Sequence, residues 1–297
     1  MGIRAVGVYA NSQKRNVLPV ARMLLDACAN AGLAVTLEPW LHGALADPRA
    51  LCGDRIGAGV DALAVLGGDG TLLRAMPHAV GAGIPLFGVN LGRVGFLTEV
   101  ETGLDDQADA LERAMRALAA GDYFVEERML LSVSIAGGGE AAEQAERIAL
   151  NDAVIARDAT GGVLALDAYL DDTLIDHYVA DGLVVSTPTG STAYSLSAGG
   201  PIVAPDVACM VLSPICPHSL HARPTVFSAQ GVLRIHIRDL PGAQAALLTT
   251  DGQAPALLAP GADVSVRRCD HNKARFIRLR DRSFFTLLRT KLTEWSV

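Results

Sequence analysis

The stretch Ala64-Val65-Leu66-Gly67-Gly68-Asp69-Gly70-Thr71-Leu72-Leu73-Arg74 decides how this chain folds. The apolar run 60–66 predicts a buried strand, and a helical pattern resumes at Thr71. Glycines in a strand-to-helix turn let backbone N–H groups approach a phosphate, and the helix start adds partial positive charge. A carboxylate there would repel a bare phosphate, so Asp69 indicates a bridging metal or acceptance of a hydroxyl proton in phosphoryl transfer. Taken alone, the same residues also fit a tight turn in which Asp69 caps the helix.

Length and composition limit the class of protein. A chain of 297 residues is long enough for two domains, and half of its residues are hydrophobic. The net charge of −7 and the pI near 5.5 argue against a nucleic-acid partner and against binding to an anionic membrane. There is no apolar run of about 18 residues, and the run 3–10 is too short for a secretory leader. We therefore expect a cytoplasmic protein whose five scattered cysteines are reduced thiols.

The first part of the chain, 1–122, alternates between strand-like and helical stretches. Strands are predicted over 3–10, 33–38, 60–66 and 84–89, and helices over 16–32, 71–81 with an interruption near Pro77, and 105–120. The segment 41–59 has no clear period and predicts a loop with a short helix. The alternation predicts an α/β domain with a Rossmann-like open parallel sheet. Ligands bind such sheets at the carboxyl ends of the strands, where we expect the glycine segments 67–70 and 90–97.

The second part, 123–270, changes character. Short runs such as 163–169 and 233–238 have apolar residues at every second position, and 170–174 predicts a hairpin tip. We therefore expect an all-β, sandwich-like domain of two antiparallel layers. A third segment, 271–297, contains a predicted helix over 284–292 that we expect to pack back on the first domain.

Two polar stretches of the second part are candidates for binding. Asn151 and Asp152 stand side by side, and their amide and carboxylate offer the donors and acceptors that match a ribose diol. Asn and Asp are also common turn residues. The segment 181–201 is dense in hydroxyls and glycine, and it carries Tyr194 for stacking or hydrogen bonding. Because binding residues favour such loops, we expect a long polar binding loop here.

The sequence offers little for a protein-bound metal. Cys216, His218 and His221 lie close together, but structural zinc usually needs four ligands in two spaced pairs, and no second pair follows. We expect a rigid turn containing Pro217 and no metal site. No Gly-Lys-Ser/Thr follows the glycines, and Gly-x-Ser-x-Gly and His-Glu-x-x-His are absent, which argues against a P-loop enzyme, a serine hydrolase and a zincin.

Taken together, these stretches resemble the ATP-NAD kinases, which phosphorylate the 2′-hydroxyl of the adenosine ribose of NAD to give NADP. The resemblance is carried by 67–71 with Arg74, by 88–97, by Asn151-Asp152 and by 181–201, and it extends over about 60–255. It implies an α/β first domain and a β-sandwich second domain. It further implies ATP and NAD as substrates, Mg²⁺ bound with the ATP, and a homo-oligomer, commonly a dimer or tetramer.

The same resemblance implies roles for individual residues. Asp69 is the expected acceptor of the 2′-hydroxyl proton, while Gly68, Gly70 and Arg74 would contact substrate or phosphate. The residues expected to bind the nucleotide and dinucleotide are Asn151, Asp152, Asp181, Thr192, Ala193, Tyr194, Ser195, Leu196, Ser197 and Gln253. Many family members have Glu where this chain has Asp152, whose side chain is one methylene shorter.

Two other functions fit parts of the pattern. A diacylglycerol- or sphingosine-type lipid kinase also has a Gly-Gly-Asp-Gly turn and two domains, but the polar segment 187–197 and the acidic net charge disfavour a lipid acceptor. A non-catalytic sensor of NAD or NADP would keep the binding residues, but it would leave Asp69 without a task. The identity of the phosphoryl donor, the use of NADH and feedback by NADP(H) stay open at this point.

Overall fold

The structure is a computed structural model that describes residues 2–92, 95–101, 106–137, 146–158, 162–240, 245–280 and 283–294. The chain divides into two units, one formed by Met1–Glu127 with Ala274–Val297 and the other by Arg128–Lys273. The expected boundaries lay at 122/123 and 270/271. No helix of the described residues is both long and apolar enough to cross a membrane.

Strands and helices alternate along the first 127 residues, as the sequence predicts. The elements in chain order are β1 (Ala5–Ala10), α1 (Val17–Asn30), β2 (Ala34–Leu37), α2 (Pro39–Leu45), β3 (Ala50–Cys52), β4 (Ala62–Gly67), α3 (Asp69–Ala82), β5 (Leu86–Asn90), β6 (Val100–Glu101), α4 (Gln107–Ala120) and β7 (Phe124–Arg128). All six residues of β4 are buried, as is typical of a parallel strand that is covered on both faces.

Two details of this part differ from the sequence prediction. The predicted interruption at Pro77 is wrong, because α3 continues through this proline to Ala82. Buried residues on both sides of the proline, Leu72, Met76 and Ala79, keep the helix packed although one backbone donor is missing. The segment 41–59 contains the short strand β3 besides the expected helix, and β3 pairs in parallel with β2 at the edge of the sheet. A three-residue edge strand with exposed Leu51 leaves no periodic signal.

The second unit contains two antiparallel sheets, which confirms the expected all-β, two-layer domain. Its elements are β8 (Leu131–Ala136), β9 (Arg147–Ala149), β10 (Asp152–Arg157), β11 (Leu164–Leu170), β12 (Thr173–Ala180), β13 (Gly182–Ser186), a 3-10 turn (Thr189–Thr192), α5 (Tyr194–Ser197), β14 (Cys209–Ile215), β15 (Thr225–Ser228), β16 (Leu233–Ile237), β17 (Ala246–Thr250), β18 (Ala256–Leu258) and β19 (Asp263–Arg268). The sheets have the orders β15-β14-β13-β10-β17-β18 and β12-β11-β16-β19-β8-β9.

Alternation of apolar residues explains the layer structure of this unit. In β16, Leu233, Ile235 and Ile237 are buried while Arg234 and His236 are half-buried. Residues of the same kind from both sheets form one hydrophobic core. The sheet that contains β16 therefore has one apolar face and one face that carries polar groups, whereas β13 and β14 of the other sheet are buried at nearly every position.

The chain returns to the first unit at its end. A final strand, β20 (Ala274–Arg278), and the helix α6 (Phe284–Glu294) belong to that unit, in agreement with the expected helix over 284–292. The strand β20 was not predicted from the sequence. It completes a sheet of order β3-β2-β1-β4-β5-β20-β7, in which Phe276 of β20 pairs in parallel with Leu86 of β5. Since the two strands run in parallel, the last residue of β20, Arg278, lies at the carboxyl edge of the sheet.

Candidate functional site

The two glycine segments of the first unit leave the sheet at the same edge, as predicted. Gly67 ends β4 and pairs with Asn90, the last residue of β5. Gly68 is the N-cap of α3, and Asp69 is the first residue of that helix. A side chain at Gly67 would overlap Thr71, so only glycine lets the first turn of α3 fold back on the end of the strand. Of the segment 90–97, Arg93 and Val94 lie outside the described residues.

The turn has two further glycines that face open space. A Cβ atom built on Gly68 or Gly70 would meet no other atom within 4 Å. Neither glycine has a positive φ angle, so backbone conformation does not require glycine at these positions. Neither packing nor the φ angle requires glycine here. The missing side chains therefore leave room for another molecule next to the N-terminus of α3.

The carboxylate of Asp69 is held in a fixed orientation by the second glycine segment. Its Oδ2 accepts the N–H of Phe96 at 2.8 Å, and its Oδ1 accepts the N–H of Leu97 at 3.1 Å. Any side chain at Gly95 would overlap this carboxylate. Each carboxylate oxygen has a second lone pair, so both remain able to accept a further hydrogen bond.

The hydroxyl of Thr71, in the first turn of α3, connects this helix with the residue that follows β1. The Oγ1 of Thr71, a residue only 2% exposed, accepts hydrogen bonds from Asn11 Nδ2 and Arg74 Nη2, each at 3.5 Å. Arg74 itself is exposed. Asn11 was missed by the sequence analysis, although it is the first residue after β1, the neighbour of β4 in the sheet.

In the second unit, one carboxylate organises the Asn151-Asp152 turn. Asp251 accepts the backbone N–H groups of Leu150, Asn151 and Asp152 at 2.7, 2.8 and 3.1 Å. Asp251 has a φ of 50° and Gly252 a φ of 67°, so the chain turns through two left-handed residues after β17. A non-glycine residue in this region is uncommon and is retained where the surroundings fix it.

The carboxyl group of Asp152 lies close to a second negative charge. Burial, and then the charge of Asp251, raise the pKa of Asp152 to about 7. Burial also raises the pKa of Asp251, although the three backbone N–H groups act in the opposite direction. Near neutral pH, Asp152 can therefore either accept a hydrogen bond or donate one.

The predicted polar loop within 181–201 packs on the Asn151-Asp152 turn, but part of it is helical. Over 189–197 it forms the 3-10 turn and α5, which corrects the expectation of a long loop. The N–H of Thr187 donates to the carbonyl of Asn151 at 2.8 Å, and its hydroxyl donates to the carbonyl of Leu150 at 2.6 Å. A side chain at Gly190 would overlap the backbone of Asn151. The structure thus brings the Asn151-Asp152 turn, the segment 187–192 and the 251–253 turn with Gln253 together.

The residues over 192–197 do not all face outward. Tyr194 is 44% exposed and Ser197 is exposed, whereas Thr192, Ala193 and Leu196 are half-buried. Ser195 is fully buried, and its hydroxyl lies 3.0 Å from that of Ser213. In this structure the Ser195 hydroxyl therefore joins α5 to β14, and it is not available to a molecule in solution.

Asp181 lies apart from this cluster within the second unit. It precedes β13, and its Oδ1 accepts a hydrogen bond from Arg157 Nε at 2.7 Å. In the pairing of β10 with β13, Asp152 faces Ser186 while Ala156 faces Gly182. Asp181 is therefore at the other end of this strand pair, five residues from Ser186 and so about 17 Å away from the strand rise.

No group of three or more His, Cys, Asp or Glu side chains suitable for a metal occurs among the described residues. Cys216, His218 and His221 are exposed on the segment after β14, and Cys216 has a φ of 45°. Asp69 is the carboxylate that lies next to the open glycine turn, so it is the group of the first unit best placed to share a metal with a ligand.

Comparison with known proteins identifies relatives for both units. The model of the ATP-NAD kinase N-terminal domain matches residues 6–123, and that of the ATP-NAD kinase C-terminal domain matches residues 150–279. The NAD kinase of Desulforamulus reducens is 38% identical over 294 residues, which cover 99% of this chain and 98% of the relative. The NAD kinase of Symbiobacterium thermophilum is 41% identical over 284 residues, which cover 95% and 96% of the two chains.

Two solved structures share the fold. A yeast NADH kinase complexed with NADH superposes with a TM-score of 0.87 at 23% identity, covering 99% of this chain and 88% of that one. An NAD kinase from Archaeoglobus fulgidus in complex with ATP gives a TM-score of 0.72 at 24% identity, covering 96% and 98%. At this level of identity the similarity shows a common architecture.

Proposed function

The chain belongs to the ATP-NAD kinase family, and on that premise we propose how its residues divide the work of phosphorylating NAD. An NAD kinase transfers the terminal phosphoryl group of ATP to the 2′-hydroxyl of the adenosine ribose of NAD and yields NADP. The observation that carries the proposal is the Asp69 carboxylate, which two backbone N–H groups orient beside glycines that face open space.

Asp69 accepts the proton of the 2′-hydroxyl in this proposal. Its two oxygens are fixed by Phe96 and Leu97, and each keeps a lone pair for the substrate. A carboxylate is a weak base for an alcohol, but phosphoryl transfer tolerates a weak base because its transition state is loose. Correct alignment of the hydroxyl with the phosphorus supplies a large part of the acceleration.

The phosphates of ATP are proposed to lie at the start of α3. Gly68 and Gly70 leave space for them there, the helix N-terminus favours negative charge, and Arg74 adds a cation one turn along the helix. Mg²⁺, when bound with ATP, neutralises charge on the transferred group. The phosphates and water would supply the ligands of this Mg²⁺, which leaves both oxygens of Asp69 for the 2′-hydroxyl.

The dinucleotide is proposed to bind to the second unit. Asn151 and Asp152 offer hydrogen bonds to the ribose, Gln253 lies in the adjoining turn, and the exposed Tyr194 ring offers a stacking surface. Thr192, Ala193, Leu196 and Ser197 are proposed to line the same region, whereas Ser195 supports it through Ser213. Asp181, at the far end of the strand pair, is proposed to contact a more distant part of the extended dinucleotide.

The test is an assay with NAD, ATP and Mg²⁺ in which NADP is read by a dehydrogenase that ignores NAD. We expect NADP to form, to disappear when EDTA is added and to return with excess Mg²⁺. Replacing NAD with diacylglycerol should give no phosphorylated product. Binding of NAD without any 2′-phosphate product would contradict the proposed roles and support a sensor. Replacing ATP with other nucleotides or with polyphosphate defines the range of donors, and replacing NAD with NADH defines the range of acceptors.

We further propose that the protein acts in the cytoplasm as a homo-oligomer, a dimer or a tetramer. The family resemblance supports the oligomer, and the five scattered cysteines fit a reducing compartment. Light scattering after gel filtration measures the mass of the assembly, and a mass of one chain of 31.0 kDa across the micromolar range would contradict it.

A further inference from the structure

Arg278 is a buried charge in the first unit that neither the sequence analysis nor the proposed reaction uses. It is the last residue of β20 and is only 8% exposed. Burying a guanidinium is costly unless its donors are satisfied, so its hydrogen-bond partners indicate what it does.

Two carboxylates and one carbonyl hold this guanidinium. Its Nε donates to Glu126 Oε2 at 2.8 Å, and its Nη1 lies 3.5 Å from Glu99 Oε2. Nη1 also donates to the carbonyl oxygen of Leu97 at 3.0 Å. The second oxygen of Glu99 accepts the N–H of Leu279 at 3.2 Å, which fixes Glu99 to the same strand end. The carboxylates therefore orient the guanidinium so that one of its N–H groups points at Leu97.

Leu97 connects this group to the candidate catalytic carboxylate. Its carbonyl accepts from Arg278, and its N–H donates to Asp69 Oδ1 at 3.1 Å. The preceding residue, Phe96, donates to the other oxygen of Asp69 at 2.8 Å. A continuous series of hydrogen bonds thus runs from Glu126 and Glu99 through Arg278 and Leu97 to Asp69.

We propose that Arg278 is a positioning residue for phosphoryl transfer, because by holding the Leu97 carbonyl it fixes the two amides that orient the Asp69 carboxylate. The inference rests on the proposed role of Asp69. An arginine suits this task since its planar guanidinium offers several donors in fixed directions and stays charged at every relevant pH. A lysine would place a single ammonium there and could not reach the carbonyl and both carboxylates with the same geometry.

The test compares Arg278→Lys with a matched control on the same strand. Arg275 is half-buried and donates to the carbonyl of Gly83, so Arg275→Lys changes an arginine of β20 whose hydrogen bond does not go to the 95–97 segment. We expect Arg278→Lys to lower kcat by about 10- to 100-fold, the cost of a misplacement of about 1 Å at a reacting group. KM for NAD and for ATP should stay within about three-fold, and Arg275→Lys should leave kcat unchanged.

A double-mutant cycle separates positioning from a merely structural role. If Arg278 acts through Asp69, adding Arg278→Lys to Asp69→Asn should lower kcat by less than about three-fold, because the group it positions is already gone. A structural role would instead multiply the two losses. Multiplied losses, or wild-type kcat in Arg278→Lys while Asp69→Asn is impaired, would overturn the inference and leave the proposed function intact.

The other outcomes are also decisive. Wild-type turnover in Asp69→Asn would remove the proposed role of Asp69 and this inference with it. Should Arg278→Lys fail to fold, Glu126→Gln replaces it in the same cycle, since this change keeps one oxygen acceptor for Arg278 Nε and removes the negative charge. We expect Glu126→Gln to lower kcat by about three- to ten-fold with the same non-additivity, and additive losses would refute the positioning role.

Discussion

At the scale of single residues, two aspartates of the first unit make the same kind of contact at opposite ends of the sheet. Asp69 accepts two backbone N–H groups beside the glycine turn, and Asp61, which precedes β4, accepts those of Arg4 and Ala5 at 2.7 and 3.0 Å. The local chemistry is alike, so the difference between them lies in what else each carboxylate can reach.

This pair gives a controlled test of the general base. We expect Asp69→Asn to lower kcat by about 10² to 10⁴-fold, the range for loss of a general base, with little change in the Kd for NAD. Steady-state kinetics and calorimetric titration with NAD measure the two quantities. Asp61→Asn loses the same kind of structural contact and should keep its kcat, so equal losses in both variants would refute a catalytic role for Asp69.

The open glycines give a second prediction at this scale. Gly70→Val should raise KM for ATP by about ten-fold or more while the protein stays folded, because the new side chain enters empty space where we place the phosphates. Gly81→Ala, in the same helix and with no atom near its Cβ position, is the control. It should raise stability by about 0.5–1 kcal/mol without a change in KM. An unchanged KM in Gly70→Val would place the nucleotide elsewhere.

At the scale of elements, the ends of β10 and β17 bring two carboxyl groups together. The N-terminus of β10 carries Asp152, and Asp251 directly follows β17 and holds the turn before β10 with three hydrogen bonds. Neither strand alone creates a titrating site. The register of their pairing, in which Ala153 faces Thr250, places the two charges next to each other.

The raised pKa of Asp152 makes the stability of the protein depend on pH. In the folded state its pKa is about 7, above the ordinary 3.8, so between these values the folded chain binds more protons than the unfolded one. Stability conferred by this group therefore falls as pH rises from about 4 to 7. Asp152→Asn removes this titration. The free energy of unfolding of the variant, relative to that of the original protein, should therefore rise by on the order of 2 kcal/mol from pH 5 to pH 8.

Thermal unfolding without ligands at pH 5 and pH 8 measures this gain. Asp172→Asn, at the exposed tip between β11 and β12, is the matched control and should show the same difference from the original protein at both pH values. A gain for Asp152→Asn that is equal at pH 5 and pH 8 would mean that Asp152 is not protonated near neutrality.

At the scale of the whole molecule, the first unit is made from two pieces of chain and the second from one. The sheet of the first unit needs β20, which lies between β5 and β7, whereas every strand of the second unit comes from Arg128–Lys273. We therefore expect a fragment of residues 128–273 to unfold cooperatively when heated. A fragment of residues 1–127 should show no such transition until a peptide of residues 274–294 is added. A cooperative transition of 1–127 alone would show that β20 is dispensable.

Sequence reasoning worked where a single physical signal dominates. The apolar run of β4 and the glycines after it predicted a buried strand, a turn and a helix, and the alternation in β16 predicted a half-buried strand. The strand β20 was not predicted, because Ala274-Arg275-Phe276-Ile277-Arg278 has a mixed pattern and pairs with a strand about 190 residues away. Arg278 and the role of Asp251 were not predicted either, since their contacts depend on chain segments that only the fold brings together.

The late position of β20 has a consequence for biosynthesis. During translation the whole of Arg128–Lys273 is synthesised before β20, so β5 and β7 stay without the strand between them while that unit is being made. Arg278, whose guanidinium donates to the Leu97 carbonyl, belongs to the same late strand. A nascent chain without β20 therefore lacks the hydrogen bond from Arg278 to Leu97, and the edges of β5 and β7 that β20 covers stay open to pairing with other chains until this strand is made.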